Sequence, residues 1–232
     1  MDGAAQAAAY AAADFAAGDQ AFVDRFAAHY GAIAGPLLLD LGCGPGNITM
    51  RLAERFPSAR VLGVDGAAAM LQIARDRLEA QPQRWPGVTL VHALLTPQGL
   101  CPAPPPLNGA ATGPAAEVAI PGGFTAVVSN SLLHHLHDPQ ALWHTLRALA
   151  APGAAVYVKD LRRPPSAEAA LALRDRYLAG APAVLQHDYV ASLHAAFTAE
   201  EVQQQLAQAG LADQLQLAEL EDRYLEVWGR LR

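Results

Sequence analysis

Cysteine is nearly missing from this chain. Two in 232 residues, Cys43 and Cys101, cannot make a disulfide framework or a four-thiolate zinc site. With no CxxC pair and no three-cysteine cluster, the chain cannot ligate an iron–sulfur centre by itself. Charge is scarce too, at 16% of residues, and its balance is −6. An acidic chain without a basic stripe is a poor partner for nucleic acid, whose affinity rests on Lys and Arg meeting phosphates. No window approaches the roughly 18 unbroken apolar residues of a membrane span. Asp2 and Asp14 precede the first basic residue, Arg25, so the beginning of the chain does not read as a signal peptide. These absences lead to an expectation of a cytoplasmic chain with neither membrane nor nucleic-acid partner. Apolar residues, by contrast, reach 52%, much of it alanine, enough for one domain with a sizeable core.

Strand and helix patterns alternate through the first two thirds. An apolar run at 36–41 predicts a strand, followed by a helix over 46–56 that stops at Phe56-Pro57. Arg60–Asp65 predicts the second strand, and 67–80 a helix through Met70, Leu71, Ala74 and Leu78. Further strands are expected at 88–91, 124–129 and 154–158, with a helix over 139–150. This rhythm predicts a mostly parallel sheet with helices on both faces. Residues 4–30 read as two helices hinged near Gly18-Asp19, with Asp19 as N-cap of the second. Segment 96–123 holds seven prolines and five glycines and reads as a long surface loop, a tolerated insertion. Helices are expected over 165–179 and within 182–196. A third starts at Thr198, where Glu201 completes a capping box. Period-two runs at 214–218 and 224–229 predict a closing antiparallel pair.

The chemistry concentrates where the first strand ends, at Asp40-Leu41-Gly42-Cys43-Gly44-Pro45-Gly46-Asn47. Glycines at alternate positions let a nucleotide-like ligand approach the main chain. The dinucleotide pattern G-x-G-x-x-G would need glycine at 47, which is Asn47, and no phosphate-cradling G-x-x-x-x-G-K-[ST] occurs. Asp65 ends the second strand, where a carboxylate can accept from both hydroxyls of a ribose; it can also cap the helix that follows. Met70 can pack on an adenine face or serve as plain core.

Those motifs resemble class I S-adenosylmethionine-dependent methyltransferases of the small-molecule type. D-L-G-C-G-P-G at 40–46 is similar to the family's motif I, and V-L-G-V-D at 61–65 to its motif II. F-T-A-V-V-S-N-S-L-L-H-H-L-H-D-P at 124–139 is similar to motif IV with its following loop, and Ala151-Pro152-Gly153 to the turn before the fifth strand. The resemblance implies a Rossmann-like α/β doubly wound, seven-stranded sheet of order 3-2-1-4-5-7-6. It implies a single domain over 1–232: an N-terminal helical cap (1–30), a cofactor-binding core (31–160), a helical substrate side (161–212) and terminal strands (213–232). It implies S-adenosyl-L-methionine as cofactor, with S-adenosyl-L-homocysteine as product. Asp40, Gly42, Gly44, Gly46, Asp65, Gly66, Met70, Asn130 and Ser131 are the cofactor-binding residues it implies. Many relatives carry an acid after the third strand for the adenine amine. Here the chain reads Val91-His92-Ala93-Leu94-Leu95, with none.

Methyl transfer needs alignment and dryness more than a strict catalytic group. His134, His135 and His137 follow the fourth predicted strand, and His135 is the candidate base; a helix-entry segment capped by Asp138 is the plainer alternative. A metal site is not expected, because the H-H-x-H spacing lacks a partner acid. Arg162 and Arg163 follow the fifth strand and can clamp an anionic substrate or pair with surface acids. Tyr10, Asp14, His187 and Tyr189 are candidates for the substrate-facing wall. The DNA amino-methyltransferase motif is absent, the corresponding place being Ser129-Asn130-Ser131-Leu132. A small-molecule acceptor is therefore expected, for a monomer or homodimer. A non-methyl reaction on the same fold, or a cofactor-binding regulatory or scaffold protein, stays open.

Overall fold

The apolar run around Leu38 forms the strand on which the rest is laid. The computed structural model of the chain describes residues 15–31, 35–103 and 122–232. In it, β1 (Leu37–Leu41) lies between β2 (Arg60–Asp65) and β5 (Phe124–Asn130), parallel to both. β3 (Val88–Thr96) adds beside β2, and β6 (Ala150–Leu161) beside β5, again parallel. β7 (Leu215–Leu220) and β8 (Tyr224–Arg230) are an antiparallel pair, with β8 against β6.

A short strand that the composition does not foretell, β4 (Gly99–Pro102), pairs antiparallel with the end of β3. The order is β4-β3-β2-β1-β5-β6-β8-β7. Without β4 it is the expected arrangement, so the sheet has eight strands rather than seven. It also means that 96–123 is not loop throughout. An edge strand needs hydrogen bonds on one side only, so Pro102 is tolerated there. Residues 104–121 lie outside the described residues.

The helices are α1 (Ala16–Tyr30), α2 (Asn47–Arg55), α3 (Ala68–Ala80), α4 (Gln140–Leu149), α5 (Ala167–Leu178), α6 (Ala183–Ala195) and α7 (Ala199–Gln208). Strand side chains alternate between faces. Leu38, Val61, Ala126, Val128 and Tyr157 meet Phe22 and Phe26 of α1 and Ile48 and Leu52 of α2. On the other face Leu39, Leu62, Val127, Val156 and Val158 meet Leu142, Trp143 and Leu146 of α4 and Val202 and Leu206 of α7. Each fully buried valine, leucine, isoleucine or phenylalanine among them contributes about 2 kcal/mol. The α7 capping box forms as the sequence predicts: Thr198 Oγ1 accepts from Glu201 N–H at 3.3 Å, and Glu201 accepts from Thr198 N–H at 2.8 Å.

Two local expectations are corrected. First, α1 runs unbroken through Gly18 and Asp19, so Asp19 is no N-cap. Its carboxylate is buried and accepts from Asn47 Nδ2 at 2.9 Å, because α1 packs across the start of α2. Second, Ala151-Pro152-Gly153 is not a turn ahead of the strand but its irregular beginning. The β5–β6 register shifts there, and Gly153 has φ +80°. The hydroxyl of Tyr30 ties the end of α1 to the sheet, accepting from Gly229 N–H at 2.7 Å and donating to the Val156 carbonyl.

Parallel strands bring their ends to one edge. Leu41 pairs with Val64 and Ser129, Asp65 with His92, and Asn130 with Lys159. The turns after β1, β2 and β5 therefore emerge side by side, the usual place for a ligand in an open α/β sheet.

Candidate nucleotide-binding and acceptor site

Those turns enclose a cleft of about 350 Å³. The glycine turn forms its floor, and its three glycines do different work. Gly42, Gly44 and Gly46 all have left-handed φ, at +76°, +54° and +84°. Gly42 and Cys43 donate to the Val64 carbonyl at 2.8 and 3.1 Å, which pins the turn to β2. A Cβ at Gly42 would lie 2.8 Å from Leu132, and one at Gly46 would press on Met50 at 3.1 Å. Both are packing positions. A Cβ at Gly44 would meet nothing within 4 Å, since it would project into the cleft. Gly44→Ala is thus expected to cost about 1 kcal/mol of backbone strain, lowering Tm by roughly 3 °C. It should weaken a ligand lying on the turn by about tenfold or more. Unchanged affinity in calorimetry would mean that the ligand lies elsewhere.

Asn47, which breaks the dinucleotide pattern, is a brace. Its Nδ2 donates to Asp19 of α1, and its Oδ1 accepts from Arg77 of α3 at 2.6 Å. Arg77 also donates to the Pro45 carbonyl at 2.9 Å, so two helices clamp the turn. Asp40 does not line the cleft. It is 1% exposed and accepts from the Thr49 hydroxyl at 2.6 Å, joining β1 to α2. Burial lifts its pKa to about 7. The folded chain then holds a proton between about pH 4 and pH 7 that the unfolded chain releases. Stability contributed by Asp40 therefore falls as pH rises through that window. Asp40→Asn removes this dependence. Its stability relative to the parent is expected to rise by about 1.4 kcal/mol per pH unit across the window and then level off. Parallel denaturation curves at acid and neutral pH would refute it.

Asp65 stands at the rim. Its Oδ2 accepts from Gly44 N–H at 2.8 Å and its Oδ1 from Ala67 N–H at 2.7 Å. It thus braces the turn and fixes the entry to α3 through Ala67, the N-cap, without itself capping the helix. Beside it lie Gly66, the buried Met70, and the apolar pair Leu94 and Leu95 of β3. Beyond His92, β3 simply continues into its pairing with β4. His92 instead contacts the Gly66 carbonyl at 3.1 Å, and Leu94, 41% exposed, offers an apolar surface.

The third wall is the end of β5. Asn130 lines the cleft, and its Oδ1 is buried with no hydrogen-bond partner. Ser131 takes φ +57°, a strained conformation for a residue with a Cβ, and donates its N–H to the Lys159 carbonyl at 2.9 Å. The 3₁₀ turn Leu133–His135 follows. His135 sits at the cleft rim, but the buried histidine is His134, whose Nδ1 lies 2.6 Å from Asp160 Oδ1. Asp138 does cap, accepting from Gln140 N–H at 2.9 Å.

The remaining sequence candidates among the described residues do not converge on the cleft. Arg163 pairs with Glu201 and donates to the Ala196 carbonyl at 2.8 Å, so it supports the α7 cap rather than clamping a substrate. Arg162 pairs with Glu219 at 2.7 Å. His187 is exposed on α6, and Tyr189 packs with Tyr177 and Tyr224. Tyr10 and Asp14 lie outside the described residues. Among the described residues no cluster of His, Cys, Asp or Glu has the geometry of a metal site. Asp19, Cys43, Leu132 and Leu136 line the cleft without having been candidates. A second groove of about 450 Å³ adjoins it between α1, α2 and α3, where Arg51, Arg77 and Arg84 are all already paired.

The fold defines a Rossmann-like α/β protein with its cleft at the ends of the parallel strands. The chain belongs to the methyltransferase domain family, whose match covers residues 39–156. Its fold is shared with an S-adenosylmethionine-dependent methyltransferase from Aquifex aeolicus: TM-score 0.60 at 14% identity, over 92% of this chain and 89% of that one. It is shared also with the plantazolicin methyltransferase BpumL, solved with S-adenosylhomocysteine: TM-score 0.63 at 12% identity, over 94% and 86%. A trans-aconitate 2-methyltransferase of Paracidovorax citrulli is 67% identical over 43 residues, which is 18% of this chain and 16% of that relative. The chain thus matches about a sixth of that relative's length.

Proposed function

We propose that this chain transfers a methyl group from S-adenosylmethionine to a small-molecule acceptor. The observation that carries the reading is Asp65 hydrogen-bonded at 2.8 Å to Gly44, where an added Cβ would meet nothing within 4 Å. A ribose carboxylate and a bare backbone surface lie together. The unpaired Oδ1 of Asn130 supports the same ligand, since it would accept from the methionyl ammonium. Met70, Leu94 and Leu95 would flank the adenine ring. S-adenosylmethionine, when bound, supplies an electrophilic methyl group on a sulfonium. The chain's own part is to orient the acceptor against that group and to exclude water. His135 is placed to take a proton from an acceptor that carries one. The acidic balance of the chain favours a small molecule over nucleic acid.

Calorimetry with S-adenosylmethionine and S-adenosylhomocysteine tests the donor. Mass spectrometry for products one methyl group heavier, in a metabolite mixture, tests turnover. Tighter binding of NADH than of either donor ligand would overturn the reading. Donor binding without any methylated product would leave a regulatory or scaffold protein.

A further inference from the structure

The chain has fifteen arginines and one lysine, and that lysine is buried. Lys159 is 7% exposed on β6, one strand away from the donor cleft. It is the register partner of Asn130, so both side chains stand on the same face, about 4.8 Å apart across the sheet. Its Nζ lies 3.9 Å from the centroid of the Tyr224 ring and makes no hydrogen bond with any described residue. The ammonium therefore has no hydrogen-bond acceptor among the described residues.

Arg223 lies beside it, its Nη1 donating to the Tyr189 hydroxyl at 3.5 Å. Its guanidinium stacks on the Tyr177 ring at 3.4 Å and faces Tyr224 at 4.7 Å, and its Nε is buried without a partner. The acids around the pair have donors of their own. Asp19 accepts from Asn47, Glu226 from Arg25 and Tyr157, and Asp222 from Arg176 and Tyr177. Glu221 is exposed. Burial and the charge of Arg223 lower the Lys159 pKa to about 8, outweighing the opposite pull of Glu221 and Asp19. Leaving the buried Arg223 Nε unmatched is costly, and an anion between the two cations removes that cost.

We infer that Lys159, backed by Arg223, binds a carboxylate of the acceptor beside the Asn130–Ser131 turn, so that the acceptor is a small carboxylic acid. This rests on the methyltransferase reading above and names its substrate class. The Asp19 carboxylate on the same face disfavours a doubly charged phosphate, while Tyr224 and Tyr177 suit a carbon skeleton.

The test is calorimetry on the chain saturated with S-adenosylhomocysteine. The probes are trans-aconitate, succinate and benzoate, each against its methyl ester, with inorganic phosphate as a further probe. At least one free acid is expected to bind about tenfold or more tightly than its ester and than phosphate. Lys159→Met should lose about tenfold or more of that affinity and keep its affinity for S-adenosylhomocysteine, and Lys159→Arg should recover part. Isotope-labelled lysine gives the intact chain a single side-chain signal, which the acid should shift, with or without S-adenosylhomocysteine present. Equal binding of acids and esters, tighter binding of phosphate, an unmoved lysine signal, or full acid affinity in Lys159→Met would overturn the inference. Failure of S-adenosylhomocysteine to bind the parent chain would instead overturn the donor reading, and the lysine signal would still report on the acid.

Discussion

Replacing Asp65 with alanine is expected to weaken S-adenosylmethionine binding about a hundredfold while leaving the chain folded. Both carboxylate oxygens already accept a backbone N–H, from Gly44 and Ala67, and each keeps a lone pair for a ribose hydroxyl. Hydrogen bonds to a charged group are worth about 1.5–3 kcal/mol each. Losing the pair, with some recovery through water, leaves a deficit of about 2.7 kcal/mol, or a factor of about a hundred. Stability should move little, since the released N–H groups face a cleft that water can enter and burial already raises the pKa of this acid. Asp65→Asn should fall between, because the amide accepts at one atom only. Calorimetry with S-adenosylhomocysteine reads both variants, and an affinity within twofold of the parent would place the ribose elsewhere.

What the sequence made legible was whatever depends on local pattern. β2 runs over Arg60–Asp65 as the alternation predicts, and the α7 capping box forms at Thr198 and Glu201. The glycine turn and Asp65 were legible because a strand end, a left-handed turn and an acid are adjacent in the chain or one unit apart. Asp19 misled because an acid after glycine has the local signature of an N-cap, and only packing against α2 reveals that Asn47 needs it. β4 was hidden by its own proline and glycines, which a four-residue edge strand tolerates. Lys159 sits in an apolar run, and nothing nearby in sequence says that β8 brings Tyr224 beneath its ammonium. Asp160 lies within β6, and its partners lie 26 and 27 residues back in the chain. Long-range pairing of this kind is a property of the topology.

Asp160 is where that topology should show its largest effect on stability. The side chain is 1% exposed and satisfies three donors: Leu133 N–H at 2.7 Å, His134 Nδ1 at 2.6 Å and its neighbour Leu161 N–H at 2.8 Å. It holds the β5 turn, and with it Ser131, Leu132 and His135, against β6. Asp160→Ala strands buried donors, at a cost of about 3–5 kcal/mol, which corresponds to a Tm lower by roughly 10 °C. Asp160→Asn keeps one acceptor but turns an amide towards one of the donors, so it should lose less. If Asp160 only stabilised the fold, any core variant of equal cost would behave alike. Leu206→Ala, in the fully buried contact of α7 with the sheet, supplies that control at about 2–5 kcal/mol. At a temperature where all three are folded, Asp160→Asn is expected to bind S-adenosylhomocysteine about tenfold more weakly, while Leu206→Ala binds it like the parent. Equal affinities in the two variants would reduce Asp160 to a core residue. A loss confined to Asp160→Asn would make it the positioning residue of the wall that Asn130 and Ser131 present to the donor.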